Sequence, residues 1–183
     1  MKVVFVIFLL PFLGLSQISV EGVSLPLTMK SGENVLVYNG AGVREKYFMD
    51  MYVGALYLKT KNKDANTIIK SNEPMSIRLH IVSGLISSEK MIAAVDEGFR
   101  NATGEKTALL DTRIKQFKNA FSEKIKVGDI FDLIYDPAKG VNILKNGKNI
   151  GLISGLDFKS AMFGIWLCDK PADSDLKNKM LGL

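Results

Sequence analysis

The run Arg44–Leu58 (REKYFMDMYVGALYL) constrains this chain more than any other segment. It is rich in Tyr, Phe, Met and Val, the residue types that suit a pleated, half-buried surface, yet it is far longer than a strand of about 5–6 residues. It must therefore bend or turn within its own length. Ahead of it Asn34–Asn39 (NVLVYN) reads as a strand that Gly40-Ala41-Gly42 breaks. Behind it Lys59, Lys61 and Lys63 form a charged, solvated turn that could steer anions, and Asp64 caps a short helix over Ala65–Ser71 that Pro74 stops.

Beyond Pro74 the pattern changes period twice. Met75–Val82 alternates, with Met75, Ile77, Leu79 and Ile81 on one face and Ser76, Arg78, His80 and Val82 on the other. Ser87 or Ser88 then caps a helix to about Ala102 whose apolar side holds Met91, Ile92, Val95 and Phe99, and Gly104 follows its end. Leu110, Ile114, Phe117 and Phe121 recur at helical spacing in a second helix. Ile130–Tyr135, Val141–Leu144 and Asn149–Ile153 read as strands, the last two joined by Lys145-Asn146-Gly147-Lys148, a strong type I′ hairpin signal. Helices over Leu156–Leu167 and Ser174–Leu181 close the chain, the latter capped by Asp173 and ended by Gly182. Runs of strands alternating with runs of helices predict an α+β domain, an antiparallel sheet with helices packed over one face.

The first 16 residues read as a leader. Lys2 precedes the apolar stretch Val3–Leu15, and the small residues Gly14 and Ser16 form a cleavage site, which predicts a signal peptide over 1–16 and one domain over 17–183. Pro11 and Gly14 interrupt the stretch, which is also shorter than the ~20 apolar residues of a membrane span. The expected location is periplasmic or secreted, without stable membrane insertion after cleavage.

Composition narrows the chemistry. One Cys and one His among 183 residues exclude a disulfide framework and a tetrahedral zinc site, so no metal is expected. The net charge of +5 is a weak argument for nucleic acid, and no nucleic-acid partner is expected. G-x-S-x-G, H-E-x-x-H and Walker-type patterns are absent, and Gly40-Ala41-Gly42 leads into Arg44 and aromatic residues rather than a dinucleotide-binding helix, so no cofactor is expected. His80 reads as a packed or solvent-facing strand residue. Its alternative is an axial haem ligand, which needs a single side chain.

Arg44, followed by Tyr47, Phe48, Tyr52 and Tyr57, can present a guanidinium to a ligand carboxylate at one end of an apolar cleft, with a tyrosine hydroxyl sharing the anion. The competing reading puts Arg44 in solvent and the aromatics in the core. On one straight strand Arg44 and Tyr52 would stand about 26 Å apart, so they meet only across a hairpin, and Glu45–Asp50 holds no Asn-Gly signal for one. If the chain turns elsewhere, Tyr47 or Tyr57 is the better partner. Met49, Met51 and Met162 are placed near the cleft, Met75 and Met91 in the core.

Asn39-Gly40-Ala41-Gly42-Val43-Arg44 with Tyr52–Leu58 (YVGALYL) resembles the first signature of the chalcone isomerase-like family, and Gly164–Lys177 (GIWLCDKPADSDLK) resembles the C-terminal signature of its bacterial branch. The resemblance implies an open-faced β-sandwich, a large antiparallel sheet with helices over one face and a ligand cleft between them. The family includes enzymes that close a chalcone to a flavanone, fatty-acid-binding relatives and non-catalytic homologues. Arg44 matches the arginine that stabilises the reacting phenolate in the enzymes. Tyr52 falls where they hold a threonine, and Ser87 and Ala94 fall where they hold a tyrosine and an asparagine. The chain thus keeps the arginine and loses most of the polar set, which argues against an efficient isomerase. What the resemblance implies is a non-catalytic protein holding a small hydrophobic carboxylate such as a fatty acid through Arg44, Tyr52, Tyr47, Phe48, Ser87 and Ala94. The alternatives are an intramolecular lyase of the chalcone–flavanone type acting through Arg44 and Tyr52, and an envelope interaction protein whose cleft is filled by its own side chains.

Overall fold

The computed structural model describes residues 17–183, and the leader expected over 1–16 lies outside the described residues. The elements are β1 (Gln17–Val20), β2 (Val23–Pro26), β3 (Thr28–Ser31), β4 (Asn34–Lys46), β5 (Met49–Leu58), α1 (Ala65–Lys70), β6 (Met75–Ile81), α2 (Ser88–Thr103), α3 (Asp111–Asn119), β7 (Ile130–Asp136), β8 (Gly140–Lys145), β9 (Lys148–Ile153), α4 (Leu156–Leu167) and α5 (Ser174–Met180). Strands β3 to β9 form one seven-stranded sheet in sequence order, every pair antiparallel, and β1–β2 is a separate hairpin. The sheet curls enough for the Ser31 hydroxyl on β3 to donate to the Tyr135 carbonyl on β7 at 2.9 Å, although the two strands are not neighbours.

Strand alternation sorts the residues into two cores. Tyr52, Leu56, Leu58, Ile77, Leu79 and Ile81 face the helices, while Val53, Ala55 and Tyr57 pack with Val23 and Leu25 of the β1–β2 hairpin on the opposite face. Under the helices Phe99, Phe117 and Phe158 stack with ring centroids 5.6–5.9 Å apart, contacts worth about 0.5–1.5 kcal/mol each beyond their burial. The α+β architecture with helices over one sheet face is as the sequence implies, and the caps expected at Asp64, Ser87 and Asp173 each accept a backbone N–H of the first helical turn.

One expectation is corrected. Gly40-Ala41-Gly42 does not break the strand; β4 runs through it to Lys46. The glycines are there because α5 lies against them: a β-carbon at Gly40 would stand 2.1 Å from the Lys179 carbonyl oxygen, and one at Gly42 would stand 2.6 Å from the Lys179 side chain. The β4–β5 ladder slips one residue between Tyr38 and Gly40, leaving Asn39 as the extra residue of a bulge. Its side-chain amide donates to the carbonyls of Asn62 (3.0 Å) and Met180 (2.8 Å), and its Oδ1 accepts from the Asn62 N–H (2.8 Å). The bulge thus ties the end of α5 to the strand.

A second polar clasp leaves no trace in the sequence pattern. Lys159 of α4 is fully buried and donates to the carbonyls of Ile68, Ile69 and Ser71 at 2.8, 3.0 and 2.8 Å, closing the C-terminal end of α1. Burial pushes its pKa down to about 8.

Replacing Asn39 by Ala takes the partner from the buried Met180 carbonyl and from two half-buried groups of Asn62, so N39A is expected to lose about 2–4 kcal/mol of unfolding free energy. Asn39→Asp should do no better, because its carboxylate faces two carbonyl oxygens. Urea unfolding of both variants checks this, and wild-type midpoints would show that α5 docks without the clasp.

Candidate ligand-binding site

The hairpin that the site requires is present, with a turn the sequence does not announce. Tyr47 and Phe48 form a two-residue connection at φ 55° and 61°, pairing Lys46 with Met49. Arg44 and Tyr52 are direct cross-strand partners, so the separation they would have on one strand does not arise. Immediately beyond them the register slips again and Met51 is the extra residue, its carbonyl accepting from Val82 N–H (3.1 Å) and Ser83 N–H (3.2 Å). A bulge beside a site re-aims the flanking side chains. On β4, Gly40, Gly42 and Arg44 share one face, and the two glycines lie under α5; Arg44 is the next side chain on that face and opens onto a cavity.

The cavity, of about 360 Å³, lies between the β4–β5 hairpin and α2. Its inner end is made by Arg44, Tyr52, Ile86 and Met91, of which the last three are buried and Arg44 half-buried. Its rim is the exposed set Lys46, Tyr47, Met49, Leu85, Lys90 and Glu97. A smaller cavity of about 170 Å³ shares Arg44, Lys46, Ala94 and Glu97 with the first, so the guanidinium stands between two open spaces.

The electrostatics of the inner end are unusual. Arg44 Nε is buried with no hydrogen-bond partner, and no carboxylate among the described residues forms an ion pair with Arg44. Its guanidinium carbon lies 5.7 Å from the centroid of the Tyr52 ring, within cation–π range. The Tyr52 hydroxyl accepts from Trp166 Nε1 at 2.9 Å, and no group among the described residues accepts its proton. Burial raises the Tyr52 pKa above its usual 10, with the positive charge of Arg44 and then the Trp166 hydrogen bond pulling the other way. At neutral pH the site therefore offers a cation and a neutral O–H donor, an arrangement that recognises an anion carried on an apolar body.

Of the residues the sequence singles out, Arg44, Tyr52, Tyr47 and Ala94 line the cavity, as do Met49 and Met51. Phe48 does not: it projects from the turn, 102% exposed. Ser87 is the N-cap of α2, its oxygen accepting from the Lys90 N–H at 3.3 Å, and it is outside the lining. Tyr57 faces the β1–β2 side, which removes it as a partner of Arg44, and Met162 is fully buried in the main core. His80, opposite Val53 and Ile130, stands on the sheet face away from the cavity, where burial and the charge of Arg78 lower its pKa. Lys90 and Glu97 complete the site without having been singled out, although their spacing from Ala94 places all three on one face of α2. Trp166 is legible in the sequence only as part of the Gly164–Lys177 signature and not as a site residue, because its role depends on Tyr52, 114 positions away.

The profile of the family described as chalcone isomerase-like matches residues 17–182. Among solved structures, the crystal structure of an Arabidopsis thaliana fatty-acid binding protein superposes with a TM-score of 0.73 at 18% identity, over 91% of this chain and 96% of that one. No curated protein matches the sequence.

Tyr52→Phe removes the acceptor of the buried Trp166 N–H and should cost about 1–3 kcal/mol of stability. Because Trp166 is the sole tryptophan, its emission reports the change directly. An Y52F protein with unaltered emission and stability would mean that the pair does not hold the inner wall.

Proposed function

Because the chain belongs to the chalcone isomerase-like family and keeps an unpaired, half-buried arginine at the inner end of an apolar cavity, we propose that it binds a small hydrophobic carboxylate such as a fatty acid, without catalysis. The carboxylate sits against the Arg44 guanidinium and accepts a hydrogen bond from the Tyr52 hydroxyl. The acyl chain runs along Ile86, Met91 and Met51 and leaves past Leu85. A volume of about 360 Å³ is at the small end of the ~300–1,000 Å³ typical of such sites and suits a head with part of its chain.

The observation that carries this reading is the orphaned Arg44 Nε. A buried N–H donor without a partner is costly, and a ligand carboxylate supplies what the protein does not. The common fold with a protein solved as a fatty-acid binding protein supports the ligand class. Against an intramolecular lyase stands the face that α2 turns to the cavity. Apart from Lys90 and Glu97 at the rim it offers Met91, Ala93 and Ala94; the Lys90 ammonium already donates to the Leu85 carbonyl at 3.0 Å, and Ser87, which caps the helix, is outside the lining, so the inner end has no positioned donor from α2 for a developing charge. We propose in addition that residues 1–16 are an export leader and that the mature protein works in the periplasm or outside the cell, as an exported member of the family's bacterial branch.

Native mass spectrometry of the protein from its own host, with an organic extract of the same sample, tests both parts. The expected result is a chain starting near Gln17 with a stoichiometric carboxylate, and a loss of about 100-fold in affinity for that ligand in R44A. An R44A protein that retains the ligand at the same occupancy removes the binding mode. An empty wild-type cavity favours the interaction protein, and chalcone turnover lost on Arg44 replacement favours the lyase.

A further inference from the structure

Three hairpins of this chain turn through two residues that both have positive φ: Glu21-Gly22 (46° and 76°), Asn146-Gly147 (51° and 79°) and Tyr47-Phe48 (55° and 61°). This geometry favours Asn or Asp followed by Gly, because a β-carbon is crowded in the left-handed region. The first two turns carry glycine at the second position, and the third carries two aromatic residues. Folding does not account for them. Phe48 is 102% exposed and Tyr47 78% exposed, so they fill no core, and neither suits the turn it makes.

The surroundings of the tip give it a direction. Met49 (41% exposed) and Leu85 (45% exposed) extend the apolar surface from the tip along the cavity's rim. Lys46 and Lys90 line that rim, and with Arg44 they outnumber its single carboxylate, Glu97. Glu45 and Asp50 of the same hairpin line a different hollow, with Asp173 and Asp175. The hairpin is therefore apolar at its end, basic toward the cavity and acidic on its reverse.

We propose that the Tyr47-Phe48 tip is a membrane-docking element that sets its aromatic rings at the headgroup boundary of an anionic bilayer, with Lys46 and Lys90 against the headgroups and the cavity's mouth turned to the lipid. Exposed aromatics flanked by lysines match that boundary in polarity and charge. A second copy of the chain is a poorer occupant, since a stable protein interface buries ~800 Å² per partner and a two-residue turn with its flanks offers much less. The inference deepens the ligand reading by naming the lipid surface as the ligand's source; it rests on that reading for its purpose and not for its geometry.

The test is flotation of the full chain, expressed and processed as the cell handles it, with vesicles containing phosphatidylglycerol and with vesicles of phosphatidylcholine alone. Phe48→Gly restores favoured turn chemistry, so the fold is retained, and it is expected to lower partition into the anionic vesicles about tenfold. Phe48→Trp is expected to keep partition, its added emission quenched by brominated acyl chains while the buried Trp166 of the wild type is not. Equal partition of F48G and wild type overturns the proposal, as does a tryptophan at position 48 that brominated lipid leaves unquenched. A wild-type dimer that F48G dissociates would assign the tip to self-association instead. Fatty-acid binding in vesicle-free buffer separates the two readings: F48G should keep it, because Phe48 is outside the cavity. A wild-type protein that floats but binds no fatty acid would sink the ligand reading and leave the docking surface standing.

Discussion

The closeness of α5 to β4 is the contact on which the site depends. Helix and strand meet backbone to backbone at Gly40, where any β-carbon would run into the Lys179 carbonyl, and the Asn39 bulge holds the helix end in place with its amide. The N-cap of the same helix, Asp173, reaches the other way and accepts the Glu45 N–H at 3.2 Å. With both ends fixed, α5 lies directly against Gly40 and Gly42 on this face of the strand. Arg44 is then the first side chain on that face with space in front of it. A larger residue at Gly40 would have to push two backbones apart, a strain of about 1–3 kcal/mol or more that would fall on the contact aiming Arg44.

Arg44 stands apart from the other sequestered cations of the chain. Arg78 makes a two-pronged bridge to Asp132 at 2.7 and 2.9 Å, Arg113 does the same to Asp157, and Lys159 satisfies three carbonyls. Each of those charges is neutralised or capped where it sits, and its role is to hold elements together. Arg44 has an aromatic ring beside it and a cavity before it. A guanidinium cannot shed its proton to escape such a place, so the unpartnered Nε donor remains a cost to the folded protein. That persistent mismatch, rather than the presence of an arginine as such, is what supports the proposed carboxylate ligand.

The hairpin that carries Arg44 stores a second mismatch at its end. L-residues with a β-carbon lose about 1–2 kcal/mol each in the left-handed region, and Tyr47 and Phe48 both occupy it without burying surface in return. The same chain uses Asn-Gly for the same turn between β8 and β9. The contrast shows that the geometry is available at lower cost, and that Phe48, which fills neither core nor cavity, does not serve the turn itself. Cavity and tip thus lie on one hairpin, joined by Lys46, Tyr47 and Met49 along the rim.

The sequence by itself determined the elements and the character of the site. Alternation in Met75–Val82, the spacing of Met91, Val95 and Phe99, the caps at Asp64, Ser87 and Asp173 and the Asn-Gly turn are local patterns, and local backbone physics is enough to read them. Arg44 among aromatics left two local readings open, an anion site or a solvent-facing end, and only the tertiary structure sets it at a cavity. What only the tertiary structure decided is non-local: that Gly40 and Gly42 admit a helix instead of breaking a strand, that bulges at Asn39 and Met51 set Arg44 opposite Tyr52, and that Trp166 reaches across 114 positions to the Tyr52 hydroxyl. It also put Phe48 at the turn, outside the cavity, and, by alternation along β5, Tyr57 on the face opposite Tyr52. Periodicity records which side of an element is apolar. Which partner that side meets, and what is left unpaired there, is settled by contacts between segments far apart in the chain, and no single stretch of sequence contains them.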